Sequence, residues 1–161
     1  MLFLFLYIFP FLCVSCDELL SEYQSALQSS IYEDYIADLA VDGDIEVGNF
    51  GEKCSRTLKQ FQPWWEVSLE DYAKVKTIVI FNPHHNESDK LVSAYVEVFD
   101  NNYSSGICGT VTENEPITII HCGGKDGVLG TRVKITLSKE DILILCEVQV
   151  FGERYLKIEE E

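Results

Sequence analysis

The sequence predicts an all-β chain, a sandwich or jelly roll stapled by disulfides. Three observations carry that prediction. Short apolar and polar alternations recur along most of the chain, clusters of Gly, Pro, Asn and Asp separate them, and an even number of cysteines remains once a short apolar leader is set aside. Short strands divided by such loops indicate stacked antiparallel sheets, not a parallel sheet crossed by helices.

The first segment, Met1 to Cys16, has no charged side chain and an almost unbroken apolar run from Leu2 to Val14. A membrane span needs about 20 apolar residues, so the run is short for one. Ser15 and Cys16, followed at once by Asp17 and Glu18, fit a signal-peptide cleavage site, with an uncleaved anchor as the alternative. No later apolar stretch approaches span length, so the mature protein is expected to be secreted and soluble, with no membrane insertion. About 145 residues then remain, one domain by length.

Residues 17 to 28 are expected to form a helical turn or two, with Leu19, Leu20, Tyr23 and Leu27 near one side. The first strong strand signal follows Pro63, where Trp65, Val67 and Leu69 alternate with Trp64, Glu66 and Ser68. Further strands are predicted over 75–81, 94–99, 117–121, 132–137 and 143–151. Asp42-Gly43-Asp44, Asn82-Pro83, Asp100-Asn101-Asn102, Gly123-Gly124 and Gly127 supply the turns. The tail, Glu159 to Glu161, reads as a frayed acidic end.

Lys and Arg number 12 against 27 Asp and Glu, a formal charge of −15. That sign argues against nucleic acid and anionic membrane surfaces, which would be repelled, and is compatible with a bound cation or an uncharged ligand. Cleavage after Cys16 leaves Cys54, Cys108, Cys122 and Cys146, which imply two disulfides in an oxidising compartment, with three pairings open. Zinc is disfavoured, because no C-x-x-C pair occurs among them and the three histidines are not spaced as partners. Two glycan acceptor sequons, Asn86-Glu87-Ser88 and Asn102-Tyr103-Ser104, lie in polar stretches and point to the same compartment.

Four motifs together name a family: Ala26-Leu27-Gln28-Ser29-Ser30; Ala40-Val41-Asp42-Gly43; Cys54-Ser55-Arg56-Thr57 leading to Pro63-Trp64-Trp65-Glu66-Val67-Ser68-Leu69; and Leu145-Cys146-Glu147-Val148-Gln149-Val150-Phe151-Gly152. In order and spacing the chain resembles the F-type lectins, the fucolectin, eel agglutinin and tachylectin-4 group. The resemblance runs from about Ala26 to Gly152 and implies a jelly-roll β-sandwich over 26–152. Residues 1–16 are then the signal peptide, 17–25 an N-terminal segment and 153–161 an acidic C-terminal tail. It also implies the pairings Cys54 with Cys146 and Cys108 with Cys122, and a possible homo-oligomer, a trimer in similar lectins.

A structural Ca2+ ion comes with the resemblance. Position by position, Asp42 and Glu147 would supply side-chain oxygens, and Leu39, Asp44, Lys53 and Cys146 main-chain carbonyls, a donor set of the kind this hard cation takes. Lys53 stands where similar proteins often place a serine that adds an oxygen. Without calcium, Asp42-Gly43-Asp44 is simply a turn and Glu147 a solvated strand residue.

The implied sugar site departs further. Three basic residues that hydrogen-bond fucose in the similar proteins read here Arg56, Pro83 and Lys90, and proline has no side-chain donor. Two adjacent cysteines that form an apolar platform there are replaced by Asn86 and Glu87, and a glycan on Asn86 would sit at or beside the pocket mouth. His84 and His85 lie in the same loop and are either local substitutes or plain loop residues. His121 reads as a core or edge residue, and Trp64 and Trp65 as core.

No G-x-S-x-G elbow, H-E-x-x-H or P-loop is present, and the abundance of carboxylates deprives any pair of them of meaning, so the chain is not expected to be an enzyme. Two functions follow: a secreted calcium-binding lectin-like domain that recognises fucose-type glycans or glycoproteins through an altered pocket, or an adhesion or structural domain of the same fold that has lost sugar binding and contacts protein.

Overall fold

The computed structural model describes residues 17–46, 53–83, 91–113 and 115–155. The apolar segment Met1 to Cys16, residues His84, His85, Asn86 and Lys90, and the acidic residues from 156 onward lie outside them. In chain order the strands are β1 (Glu18–Leu19), β2 (Ala26–Gln28), β3 (Ser55–Arg56), β4 (Gln60–Phe61), β5 (Trp64–Phe81), β6 (Ala94–Asp100), β7 (Tyr103–Thr110), β8 (Ile117–His121), β9 (Val128–Leu137), β10 (Glu140–Asp141), β11 (Ile144–Leu145) and β12 (Glu147–Arg154). A 3-10 turn, Ala37–Ala40, precedes the Asp42 loop. The fold is the predicted all-β sandwich.

The longest strand organises the rest. β5 pairs with β2 in its first half, with β9 from Trp64 to Ser68 and again from Ala73 to Val75, and with β12 and β8 in its second half. The register to β9 shifts between Ser68 and Ala73, where Glu70 takes a φ of 65°. β5 thus passes from one layer to the other, and the two separate strands expected over 64–69 and 75–81 are one bent strand. A second irregularity, opposite Phe151 and Gly152, leaves Lys76 without a register partner on β12, so that both Val75 and Ile78 face the core. Gly152 is required there: a Cβ would lie 2.0 Å from the Lys74 carbonyl oxygen.

Trp65, Val67, Leu69, Ile78, Ile80, Val133, Ile135, Val148 and Val150 fill the space between the layers, all fully buried. Each such side chain contributes about 1.5–3 kcal/mol by leaving water. Trp65 is core as expected, its indole N–H donating to the Ala37 carbonyl at 3.0 Å. Trp64 is only half-buried, with the Lys134 ammonium 4.3 Å from its ring centroid. His121 is exposed on β8, its Nδ1 3.3 Å from the Thr77 hydroxyl.

Two disulfides form, Cys54 with Cys146 and Cys108 with Cys122, closing sequence separations of 92 and 14 residues. Chain-entropy estimates give about 4–5 kcal/mol for the long loop and about 3 for the short one.

Residues 17–28 correct the expected helical start: they form β1, a turn and β2. Ser21 explains why. Its hydroxyl donates to the Val148 carbonyl at 2.9 Å and accepts from the Val150 amide at 3.0 Å, tying the segment along β12 and overriding a weak helical spacing. β7 is a strand that the sequence does not announce, since Tyr-Ser-Ser-Gly-Ile-Cys-Gly-Thr neither alternates nor buries a face. β12 continues to Arg154, past the Gly152 boundary.

Candidate functional site

Two corners of the sandwich hold the residues singled out by sequence. The first follows the 3-10 turn, which Trp65 anchors from the core. Asp42 Oδ1 accepts the Asp44 amide at 2.9 Å, an Asx turn, and Gly43 sits at a φ of 81°. A Cβ on Gly43 would come within 2.7 Å of Glu22 Oε1, so glycine lets the acidic side chains close in.

Glu147 starts β12 beneath this turn and is 0% exposed. Its Oε2 accepts the Gly43 amide at 3.3 Å, while Oε1 is buried without a hydrogen-bond partner among the described residues. Burial pushes its pKa up to about 7, the Gly43 amide opposes that, and the nearby charges of Asp42, Glu22 and Asp44 reinforce it. A buried carboxylate with an orphaned oxygen is costly unless a proton or cation meets it.

Lys53 comes close. Its ammonium lies 2.7 Å from Asp44 Oδ2, which raises the lysine pKa and lowers that of Asp44. It is an exposed cation on the rim of the turn, not a partner for Glu147. Among the described residues, no three His, Cys, Asp or Glu side chains converge as a metal centre. A set of two carboxylates, Asp42 and Glu147, completed by main-chain carbonyls does not need a third, and the orphaned Glu147 oxygen fits a hard, oxygen-seeking cation.

The second corner is built around Arg56. β3 pairs with β11, placing Arg56 opposite Ile144. Its amide donates to the Tyr35 carbonyl at 3.1 Å, and its carbonyl accepts from the Tyr32 amide and the Gln28 side-chain amide, both at 3.0 Å. Gln28 Nε2 also donates to the carbonyls of Ser30 and Tyr35, at 2.8 and 2.9 Å, so one side chain gathers the whole 30–35 loop. The guanidinium carbon lies 5.0 Å from the Tyr32 ring centroid, and Tyr32 and Tyr35 stack at 6.1 Å with 23° between their planes. The two tyrosines, three residues apart in Ile31-Tyr32-Glu33-Asp34-Tyr35, escaped the sequence reading because that stretch carries no strand or turn signature.

Of the five expected sugar contacts, only Arg56 and Pro83 lie among the described residues. Pro83 is buried, just beyond β5 and next to Asn82, whose Nδ2 donates to the Glu115 carbonyl at 2.7 Å. It offers neither a donor nor an exposed surface. Asn102 is exposed in the loop between β6 and β7. No helix among the described residues is long and apolar enough to cross a membrane.

With this geometry in hand, the chain can be set beside known proteins. A family model for the NedA-like, galactose-binding domain matches residues 39–135. Fucolectin-5 of Anguilla japonica is 29% identical over 118 residues, covering 69% of this chain and 61% of the eel protein. The pentraxin fusion protein of Xenopus laevis is 26% identical over 132 residues, covering 78% of this chain and only 32% of the frog protein. The chain therefore spans less than two thirds of either. Among solved structures, a Streptococcus pneumoniae fucose binding module is 26% identical with a TM-score of 0.76, covering 85% of this chain and 96% of that one.

Proposed function

Since the chain belongs to the NedA-like, galactose-binding domain family and is a non-catalytic, carbohydrate-binding lectin domain of the F type, we propose that it is secreted and recognises fucose-type glycans at the Arg56 corner, with a calcium ion bracing the adjacent corner. One observation carries the reading: Arg56 is fixed by main-chain hydrogen bonds with its guanidinium against Tyr32. A positioned guanidinium donates several hydrogen bonds to vicinal hydroxyls, and an aromatic face accepts the C–H side of a sugar ring. By the resemblance, the remaining polar contacts would fall to Lys90 and to His84 or His85, which lie outside the described residues, since Pro83 offers no side-chain donor.

Calcium would be held by the side chains of Asp42 and Glu147 and the carbonyls of Leu39, Asp44, Lys53 and Cys146. Its charge would neutralise the buried Glu147 carboxylate, and these residues would then hold the turn in order. Extracellular localisation follows from the leader, the sequons and the disulfides taken together. A homo-oligomer would multiply weak sites, as multivalency requires.

Pro83 favours a second reading, a domain of the same fold that has lost sugar binding and contacts protein. A glycan array probed with the protein, with and without a glycan at Asn86, separates the two. Binding to fucosylated glycans that weakens in Arg56→Ala is the expected result. Silence of both forms on every glycan would leave the protein-contact reading standing.

A further inference from the structure

A cleft of about 390 Å3 opens where the β6–β7 loop meets β2, β5 and β9, and neither corner uses it. Ser25, Glu66, Ser68, Asn102, Thr131 and Arg132 line it, each with a hydrogen-bonding side chain. The wall is built with care. Glu66, with a side chain only 12% exposed, lies 3.5 Å from Arg132 Nη1 and 4.0 Å from the Lys134 ammonium. Arg132 stacks its guanidinium 5.2 Å from the Phe99 ring centroid, and its Nε is buried without a partner among the described residues.

The loop that carries Asn102 is bolted to this wall. Asp100 and Tyr103 are paired, so Asn101 and Asn102 form a two-residue hairpin loop, and Asn101 takes the positive φ, 54°, that such a loop needs. Arg132 Nη2 donates to the Asn101 carbonyl at 2.9 Å, and the Asn101 amide donates to the Thr131 hydroxyl at 3.4 Å. Asn102 is the acceptor of the Asn102-Tyr103-Ser104 sequon, exposed at the rim of a polar cleft of the size that small ligands fill.

We propose that Asn102 is N-glycosylated and that its proximal N-acetylglucosamine folds back into this cleft, against Arg132, Glu66 and Ser68, as a structural part of the β6–β7 hairpin. The proposal rests on the secretory reading given above. In the attachment step the side-chain amide nitrogen of Asn102 attacks the anomeric carbon of a lipid-pyrophosphate-linked oligosaccharide. A C–N bond forms, the anomeric C–O bond breaks, the lipid pyrophosphate leaves with the electron pair, and the amide proton passes to a base of the transferase. Once attached, the first sugar presents hydroxyls and an acetamide to groups that both donate and accept. Its effective concentration is that of a tethered ligand, so modest contacts suffice to hold it.

The test is made on the full chain expressed with its leader in a eukaryotic secretory host. A peptide map of the wild type reports occupancy at Asn86 and Asn102. In an Asn86→Gln background, three forms are then compared by thermal unfolding: the intact glycoprotein, the form trimmed enzymatically to a single N-acetylglucosamine, and an unglycosylated Asn102→Asp control. The one-sugar form is expected to keep the full advantage, a Tm about 2–4 °C above the control. Arg132→Ala, or Ser68→Ala should the former not fold, is expected to shrink the difference between its own glycosylated and unglycosylated forms to less than half. An occupied Asn86 beside an empty Asn102, or equal melting of the one-sugar and sugar-free forms, overturns the proposal and leaves secretion intact. A chain that is not exported and carries no glycan at either sequon overturns both.

Discussion

The acidic turn and the Arg56 corner flank the same disulfide, Glu147 next to Cys146 and Arg56 two residues beyond Cys54, yet they are built differently. The acidic turn reaches into the core: Glu147 is fully buried, Gly43 takes the left-handed φ of 81° that favours glycine, and Trp65 holds the preceding 3-10 turn. The Arg56 corner joins the short strand β3 to the 30–35 loop, where main-chain hydrogen bonds fix Arg56 and the aromatic surface beside it is half open to solvent. A change at the first corner should disturb packing, while a side-chain change at the second should act mainly on the proposed recognition. The difference teaches how a scaffold can persist while the ligand contacts are rewritten around it.

Breaking the shared bridge tests the two corners together and has the largest expected effect. Cys54→Ala with Cys146→Ala should lower the unfolding free energy by about 4–5 kcal/mol, read from urea denaturation of the variant, which keeps the Cys108–Cys122 bridge, against the wild type.

Glu147→Gln separates them. With calcium at a hundredfold excess over its Kd, the wild type gains about 2.7 kcal/mol, and the variant should gain almost none in a thermal-shift titration. In a chelator the order reverses, the variant being the more stable because it buries no charge. The sign of the pH dependence follows. The pKa of Glu147 is raised in the fold to about 7 from an ordinary value of 4.5, so its contribution is fully present below about pH 4.5 and is lost as the pH rises through 7. Calcium-free protein should therefore melt at lower temperature at pH 7.5 than at pH 5, by more than the variant does.

Arg56→Ala addresses the pocket alone. Affinity for a fucosylated glycan should fall at least about tenfold, which is about 1.4 kcal/mol, by isothermal titration, with a change in Tm smaller than that of the Glu147 variant. Arg56→His with Pro83→Arg sharpens the point in the other direction: a gain in fucose affinity would show that the framework still accepts the sugar. The smallest effect belongs to Lys53→Ser, which removes an exposed cation from the rim of the acidic turn. Calcium affinity should rise by about two- to fivefold, the range an exposed ion pair commands.

The same contrast governs what was legible in the sequence. Trp65, Val67 and Leu69 announced their strand because burial on one face forces alternation, and the order of four motifs carried the fold. The helical start failed because Ser21, a residue of no particular propensity, is claimed by β12 through two long-range hydrogen bonds. β5 reads as two strands because the alternation breaks over Glu70-Asp71-Tyr72, where Glu70 takes a φ of 65° and the register to β9 shifts. At the sites, the resemblance singles out Asp42 and Glu147, but the burial and orphaned oxygen of Glu147 are not legible in the sequence, since burial is a property of the fold. Tyr32 and Tyr35 were missed for the same reason: only folding lays them against Arg56.

The central claim is that glycan recognition sits at the Arg56 corner and leaves the acidic turn as scaffold. Amide chemical-shift mapping of the calcium-loaded protein, titrated with a fucosylated oligosaccharide, tests it most directly. Shifts are expected to concentrate at Tyr32, Tyr35 and Arg56, with Asp42, Gly43 and Glu147 unmoved; shifts confined to another face, or none at saturating sugar, would overturn the assignment.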